Sequence, residues 1–282
     1  MFSDILLAVD FDRTLTAPDS SIPERNLTAI RYFTENGGAF TVNTGRSVAM
    51  FKRYMDLIGA NVPYLLYNGS AAYDHKTGEL SMLMPMEMDL ETTMEEVRQA
   101  FPHMNVELQG INAHYCFQNS GDWHGFYNVQ ICEHLDAAPG LDYGPFLKFC
   151  IFGTLKEPTV SHMFTATKDE MVQMDQAEEW IRRKYGDKID VFRAAPRMLD
   201  VHARGVSKIN AARALQKQLG RKLLVCVGDA ENDIPMLDGA DFAYVPGDAR
   251  LKDCYETVCD CGEGAVADVI YKKIPEILGI KP

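Results

Sequence analysis

The stretch Leu6-Leu7-Ala8-Val9-Asp10-Phe11-Asp12 limits the possible folds more than any other part of the chain. Leu6 to Val9 form a continuous apolar run bounded by polar loop residues, the pattern of a parallel strand buried on both faces. Asp10 and Asp12 then stand at its carboxyl end. Open α/β sheets bind ligands in the crevice along that edge, so the two acids face the place where such folds do their chemistry. A lone Asp-x-Asp also reads as a capping residue followed by a solvated one, and its meaning depends on what else arrives at the same edge.

Ser21 and Glu24 have capping-box spacing, and Leu27, Ile30 and Phe33 give the following helix one apolar face until Gly37-Gly38 end it. Ala39 to Val42 read as a second buried strand that delivers Thr44-Gly45-Arg46. Strand, helix and strand at this length make a right-handed βαβ unit, so Thr44 and Asp10 are expected to share one sheet edge. A helix over residues 48–58 leads to a third strand, Tyr64 to Tyr67, which ends in Asn68-Gly69. That dipeptide is a tight-turn signal by default. Near the other end, Ser207-Lys208 opens a helix with Ile209, Ala212, Leu215 and Leu219 on one side. A lysine there opposes the helix dipole, a mild cost that suits a residue kept for an anion. Leu223 to Val227 read as a fourth buried strand, followed by Gly228-Asp229-Ala230-Glu231-Asn232-Asp233. So many acids on one turn repel unless a cation sits among them. Residues 241–245 read as another strand and residues 264–277 as a closing helix.

The middle of the chain changes character. Helical stretches at Glu91 to Phe101 and Thr167 to Tyr185 alternate with strands such as His114-Tyr115-Cys116-Phe117 and the apolar run from Phe146 to Phe152. Thr167 and Glu170 form a second capping box, and Met171, Met174, Trp180 and Ile181 a stripe that reads as core. The expected organisation is a core in two parts, residues 1–84 and 193–282, around an inserted α+β domain at 85–192. Linkers are placed near Leu83 to Met86 and Phe192 to Arg197. His103, His114, His124, His134 and His162 all fall in the insert, but their spacing matches no ligand pattern, so they read as solvated or core histidines. Seven scattered cysteines, among them Cys259 and Cys261, likewise lack zinc spacing and read as reduced thiols.

Taken in order, Asp10-Phe11-Asp12-Arg13-Thr14, Thr44-Gly45-Arg46, Lys208 and Gly228-Asp229-Ala230-Glu231-Asn232-Asp233 resemble the four motifs of the haloacid dehalogenase superfamily, and most closely its Cof-type (class IIB) sugar-phosphatase-like branch. The resemblance implies an α/β fold, a Rossmann-like parallel-sheet core with an inserted α+β cap of the C2B type that sets specificity. It implies a phosphatase for small phosphorylated metabolites such as sugar phosphates, working through an aspartyl-phosphate. Asp10 would be the nucleophile, and Asp12 the acid that protonates the leaving oxygen and then activates water. Thr44 and Lys208 would hold phosphoryl oxygens, with Gly45, Arg46, Asn68 and Gly69 also lining the substrate. Mg²⁺ would be held by Asp10, the Asp12 carbonyl and Asp229, with Asn232 and Asp233 assisting. Asp12 separates phosphatases and phosphomutases from dehalogenases, which lack this acid. The chain departs from the usual Asp-x-Asp-Gly-Thr pattern at Arg13.

Composition narrows the partners. The net charge of −12 disfavours nucleic acid, which needs a basic surface. No apolar run approaches the roughly 18 residues of a membrane span, and the opening residues lack the plan of a signal peptide. A cytoplasmic enzyme with a small-molecule phosphate monoester as partner is expected, as monomer or homodimer. Two alternatives stand beside it: a phosphomutase resembling phosphomannomutase, and a noncatalytic binding protein on the same fold.

Overall fold

The computed structural model describes residues 1–118, 132–153 and 165–280. The chain divides into two compact units, one of Met1–Arg46, Lys52–Met82 and Ser207–Pro282, the other of Ser47–Phe51 and Leu83–Val206.

In the first unit, β1 (Ile5–Val9), β2 (Ala39–Val42), β12 (Leu223–Val227), β13 (Phe242–Val245) and β14 (Glu256–Thr257) form a parallel sheet in the order β14-β13-β12-β1-β2. Every residue of β1 is buried, as its unbroken apolar run requires of a central parallel strand. Val9 pairs with Val42 on one side and Val227 on the other. The chain therefore leaves the sheet at Asp10, Asn43 and Gly228 side by side. The third expected strand, β3 (Tyr64–Leu66), pairs with this sheet, among the described residues, only through an Asn43–Leu65 bridge and instead begins an antiparallel set with β4 (Ala71–Asp74) and β5 (Glu79–Ser81).

Helix α1 (Glu24–Glu35) buries Leu27, Ile30 and Phe33 as the periodicity predicts, but the Ser21 capping box does not form. Its backbone N–H and hydroxyl both turn back to Asp19 Oδ1, at 2.9 and 2.6 Å. Pro23 takes the cap position, leaving Ser21 two residues too early to reach the first turn. Helix α2 covers Val48–Ile58. Among the described residues no helix is long and apolar enough to cross a membrane.

The second unit is built on a six-stranded sheet. Its strands are β6 (Asn105–Gln109), β7 (His114–Gln118), β8 (His134–Asp136), β9 (Lys148–Phe152), β10 (Ile189–Ala195) and β11 (Met198–Ala203), ordered β10-β11-β9-β6-β7-β8. Among the described residues of this sheet only the β7–β8 pair is parallel. Helices α3 (Leu90–Ala100) and α4 (Lys168–Tyr185) bury Met94, Val97, Met174, Ala177 and Ile181 against Val106, Leu108, Phe149, Leu199 and Val201. The Thr167–Glu170 capping box is present at the start of α4. Met171 of the expected stripe is exposed rather than core. Residues 193–203, read from sequence as a linker and the re-entry into the core, complete β10 and form β11. Alternate burial along β10 explains the misreading, because a half-exposed strand carries charges such as Arg193 on one face.

Candidate active site

Asp10, the first residue beyond β1, is buried, and its backbone N–H donates to Val227 O at 2.9 Å. Helix α5 (Lys208–Gln218) begins opposite, capped by Ser207, whose hydroxyl accepts from Asn210 N–H at 3.1 Å. Lys208 Nζ donates to Asp10 Oδ1 and to Asp233 Oδ1, each at 2.6 Å, and all three side chains are buried. Two carboxylates thus offset the unfavourable place of a lysine at a helix N-terminus.

The turn after β12 is closed by Asp233. Its Oδ2 accepts from the backbone N–H groups of Asp229 and Ala230, at 3.0 and 3.3 Å. Gly228 permits this closure, since a Cβ there would lie 2.6 Å from the Asp233 Cβ. Carboxylate oxygens of Asp10, Asp229 and Asp233 all lie within 4.8 Å of one another. Burial, then the Asp233 charge, raises the Asp10 carboxyl well above its ordinary value, with Lys208 opposing. The same causes push Asp229 up to about 7. Three clustered acids around one ammonium form an oxygen donor set short of positive charge, which is the chemistry a hard divalent cation fits.

Thr44 is buried in the loop that follows β2, and Asn68 N–H donates to its carbonyl at 3.0 Å. Tyr67 N–H binds Arg46 O at 3.0 Å in the same way. Asn68-Gly69 is a tight turn, with φ of 56° and 100°, and it also lies against the Thr44 loop. A Cβ on Gly45 would meet Asn68 Oδ1 at 2.8 Å, and one on Gly69 would meet Ser207 O at 2.6 Å. These glycines let three loops close on each other.

Asp12 stands apart from the acid cluster. Its half-exposed carboxylate is gripped by Arg46, with Nε to Oδ2 at 2.9 Å and the second nitrogen to Oδ1 at 2.7 Å. The guanidinium lies 4.8 Å from the Phe11 ring centroid and 5.6 Å from that of Tyr54. Asn232 is exposed on the turn, and among the described residues no hydrogen bond ties it to the acids. Arg13, where the family pattern has glycine, takes φ of 59°, the left-handed conformation that explains the usual preference.

Two polar residues escaped the sequence reading. Thr14 Oγ1 donates to Asp229 Oδ1 at 3.5 Å, and Asn43 Nδ2 donates to Lys208 O at 2.8 Å. Both are fully buried. Asn43 could have been suspected, as a polar residue directly ending an apolar strand.

A parallel sheet here gathers buried acids and one lysine at its strand ends. The chain belongs to the haloacid dehalogenase-like hydrolases, whose family profile matches residues 7–261. It is 24% identical over 271 residues to the HMP-PP phosphatase of Serratia proteamaculans, covering 93% of this chain and 92% of that protein. It is 21% identical over 270 residues to the 5-amino-6-(5-phospho-D-ribitylamino)uracil phosphatase YcsE of Bacillus subtilis, covering 94% of each. In fold it is similar to a haloacid dehalogenase-like hydrolase from Bacteroides thetaiotaomicron, with a TM-score of 0.78, 18% identity, and coverage of 95% and 98%.

Proposed function

We propose that the protein is a Mg²⁺-dependent phosphatase of small phosphorylated metabolites that works through an aspartyl-phosphate on Asp10. The observation that carries this reading is the buried Asp10–Lys208–Asp233 arrangement at the strand ends, with Asp229 beside it. Asp10, the Asp12 carbonyl and Asp229 would hold the ion, supported by Asp233 and Asn232. Once bound, Mg²⁺ supplies charge neutralisation for the phosphoryl oxygens.

The chain's own groups divide the remaining work. Asp10 Oδ attacks phosphorus, and the bond to the leaving oxygen breaks as Asp12 gives that oxygen a proton. Asp12 then takes a proton from the water that hydrolyses the aspartyl-phosphate. Lys208 and Thr44 hold phosphoryl oxygens, the first by charge and the second by its hydroxyl. Asp233 keeps Lys208 and the Asp229 turn in place, because both its oxygens are engaged there. Gly45, Arg46, Asn68 and Gly69 shape the substrate side. The reading includes a cytoplasmic monomer or homodimer without nucleic-acid or membrane partners, the first of these exclusions supported by the net charge of −12.

The test is phosphate release from p-nitrophenyl phosphate and a metabolite panel that includes sugar phosphates, HMP-PP and 5-amino-6-(5-phospho-D-ribitylamino)uracil. Turnover with Mg²⁺ that chelation stops and Asp10→Asn abolishes is expected. Isomerisation without release would point to a phosphomutase, and silence across the panel to a binding protein.

A further inference from the structure

The sheet register of the second unit brings together side chains that the sequence keeps far apart. β7 and β8 pair in parallel with His114 opposite His134, and their rings stand 5.0 Å apart, nearly perpendicular. Cys132 lies two residues before His134, and donor atoms of His114, Cys132 and His134 all fall within 4.8 Å of one another. Glu107 on β6, fully buried, faces both rings: its Oε1 is 2.9 Å from His114 Nδ1 and its Oε2 is 3.5 Å from His134 Nε2.

The proton positions sharpen this picture. His134 Nδ1 lies 3.1 Å from the Cys132 carbonyl, which can only accept, so Nδ1 carries the ring proton. Nε2 of the same ring then faces the Glu107 carboxylate at 3.5 Å, a nitrogen and an oxygen that one metal ion can share. His114 is similarly anchored through its other nitrogen, with Nε2 2.7 Å from Ser47 Oγ. Anchoring one imidazole nitrogen on a carbonyl or hydroxyl while the other is presented to a shared point is how metal-binding histidines are oriented. Two imidazoles, a thiol and a carboxylate supply four donors of the kind that select Zn²⁺ over Mg²⁺.

We propose that the second unit carries its own structural Zn²⁺ site, formed by Glu107, His114, Cys132 and His134. The ion ties β6, β7 and the segment entering β8. Among the described residues β8 has three residues and one neighbouring strand, so it gains from a cross-link that this short ladder does not supply. Binding displaces the Cys132 thiol proton to solvent, and no redox change is involved.

The test uses the full chain and does not depend on turnover. Purified protein is stripped with a strong chelator and titrated with Zn²⁺ against a chromophoric competitor, then with Co²⁺ by absorption spectroscopy. One tight Zn²⁺ per chain is expected, retained in Asp10→Asn and weakened at least about 100-fold in Cys132→Ser and in His134→Gln. The Co²⁺ form should show a thiolate-to-metal charge-transfer band that Cys132→Ser lacks. The band in the unsubstituted protein is diagnostic even if a variant folds badly. No Zn²⁺ bound beyond the level of the Cys132→Ser, His134→Gln double variant, or a Co²⁺ spectrum with no thiolate band, overturns the proposal and leaves the phosphatase reading untouched.

Discussion

Replacing Lys208 with methionine tests the centre of the site most directly. Methionine keeps much of the apolar stem and removes the ammonium, so packing changes little while two buried carboxylates lose their shared partner. Lys208 Nζ is 2.6 Å from both Asp10 Oδ1 and Asp233 Oδ1, and all three groups are at least nine-tenths buried. Removing one partner of a buried ion pair costs about 3–5 kcal/mol, because the charge left behind can neither reach water nor find a counter-ion. Urea denaturation at pH 7 in metal-free buffer should show a loss in that range. Removing the Asp233 charge as well should restore part of it. Lys208→Met and Asp233→Asn together should therefore cost less than the sum of the two single changes by about 1–3 kcal/mol. Phosphate release should fall by roughly 10²–10³ in kcat, as when a preorganised donor to a developing oxyanion is lost. A stability loss under about 1 kcal/mol, or strict additivity with Asp233→Asn, would refute the reasoning.

Three other outcomes are expected. Burial, then the Lys148 charge, lowers the fully buried His202 to about 3. An unfolded imidazole takes its proton near pH 6.5 while the folded one resists, so stability is whole above that pH and drains as acid is added; His202→Gln should flatten a loss of about 2 kcal/mol between pH 7 and 5 in urea curves, and an unchanged slope would exclude this histidine as the cause. Gly69→Ala places a methyl 2.6 Å from Ser207 O at φ of 100°, which should cost about 2 kcal/mol or more and depress turnover by shifting the start of α5; a melting temperature equal to the parent's would show that the loops yield freely. Asp12→Asn should abolish turnover yet tighten inorganic phosphate, measured calorimetrically with Mg²⁺, by up to about tenfold as Arg46 is released from its carboxylate; weaker phosphate binding would mean that Arg46 does not face the anion.

Much of the first unit was legible because its strands are unambiguous. Leu6 to Val9 and Leu223 to Val227 can only be buried strands, and burial on both faces fixes which end their acids occupy. Lys208 was legible as an anomaly, a cation where the helix dipole disfavours one. Thr14 and Asn43 were not, since one buried hydroxyl or amide beside a motif looks like any other until its partner is seen. The Ser21 cap failed for a local reason, Pro23 standing between it and the helix. His114 and His134 illustrate a more general limit. Side chains far apart in sequence meet wherever strand register places them, and here that of β7 and β8 brings the two rings to 5.0 Å of one another.

The charges at the strand ends also explain why an acidic protein can hold a phosphate ester only with help. Asp10, Asp12 and Asp233 pair with Lys208 and Arg46, each of these cations already bound to carboxylates, while Asp229 has only the more distant charges of Lys208, Arg13 and Arg250 against it. The raised Asp10 and Asp229 carboxyls have the same origin, more acid than base in a place water reaches poorly. An incoming phosphate dianion adds to this excess. Two routes lower it: Arg46 can transfer from Asp12 to the substrate, and the acid cluster can take up a divalent ion. Under the proposed function the first route would release Asp12 from its counter-ion at the step where it acts as the acid. On that reading Arg46 would link arrival of the phosphate to release of Asp12, and a lysine at that position, unable to fork across both carboxylate oxygens as Arg46 does, would hold the acid less firmly before the substrate arrives.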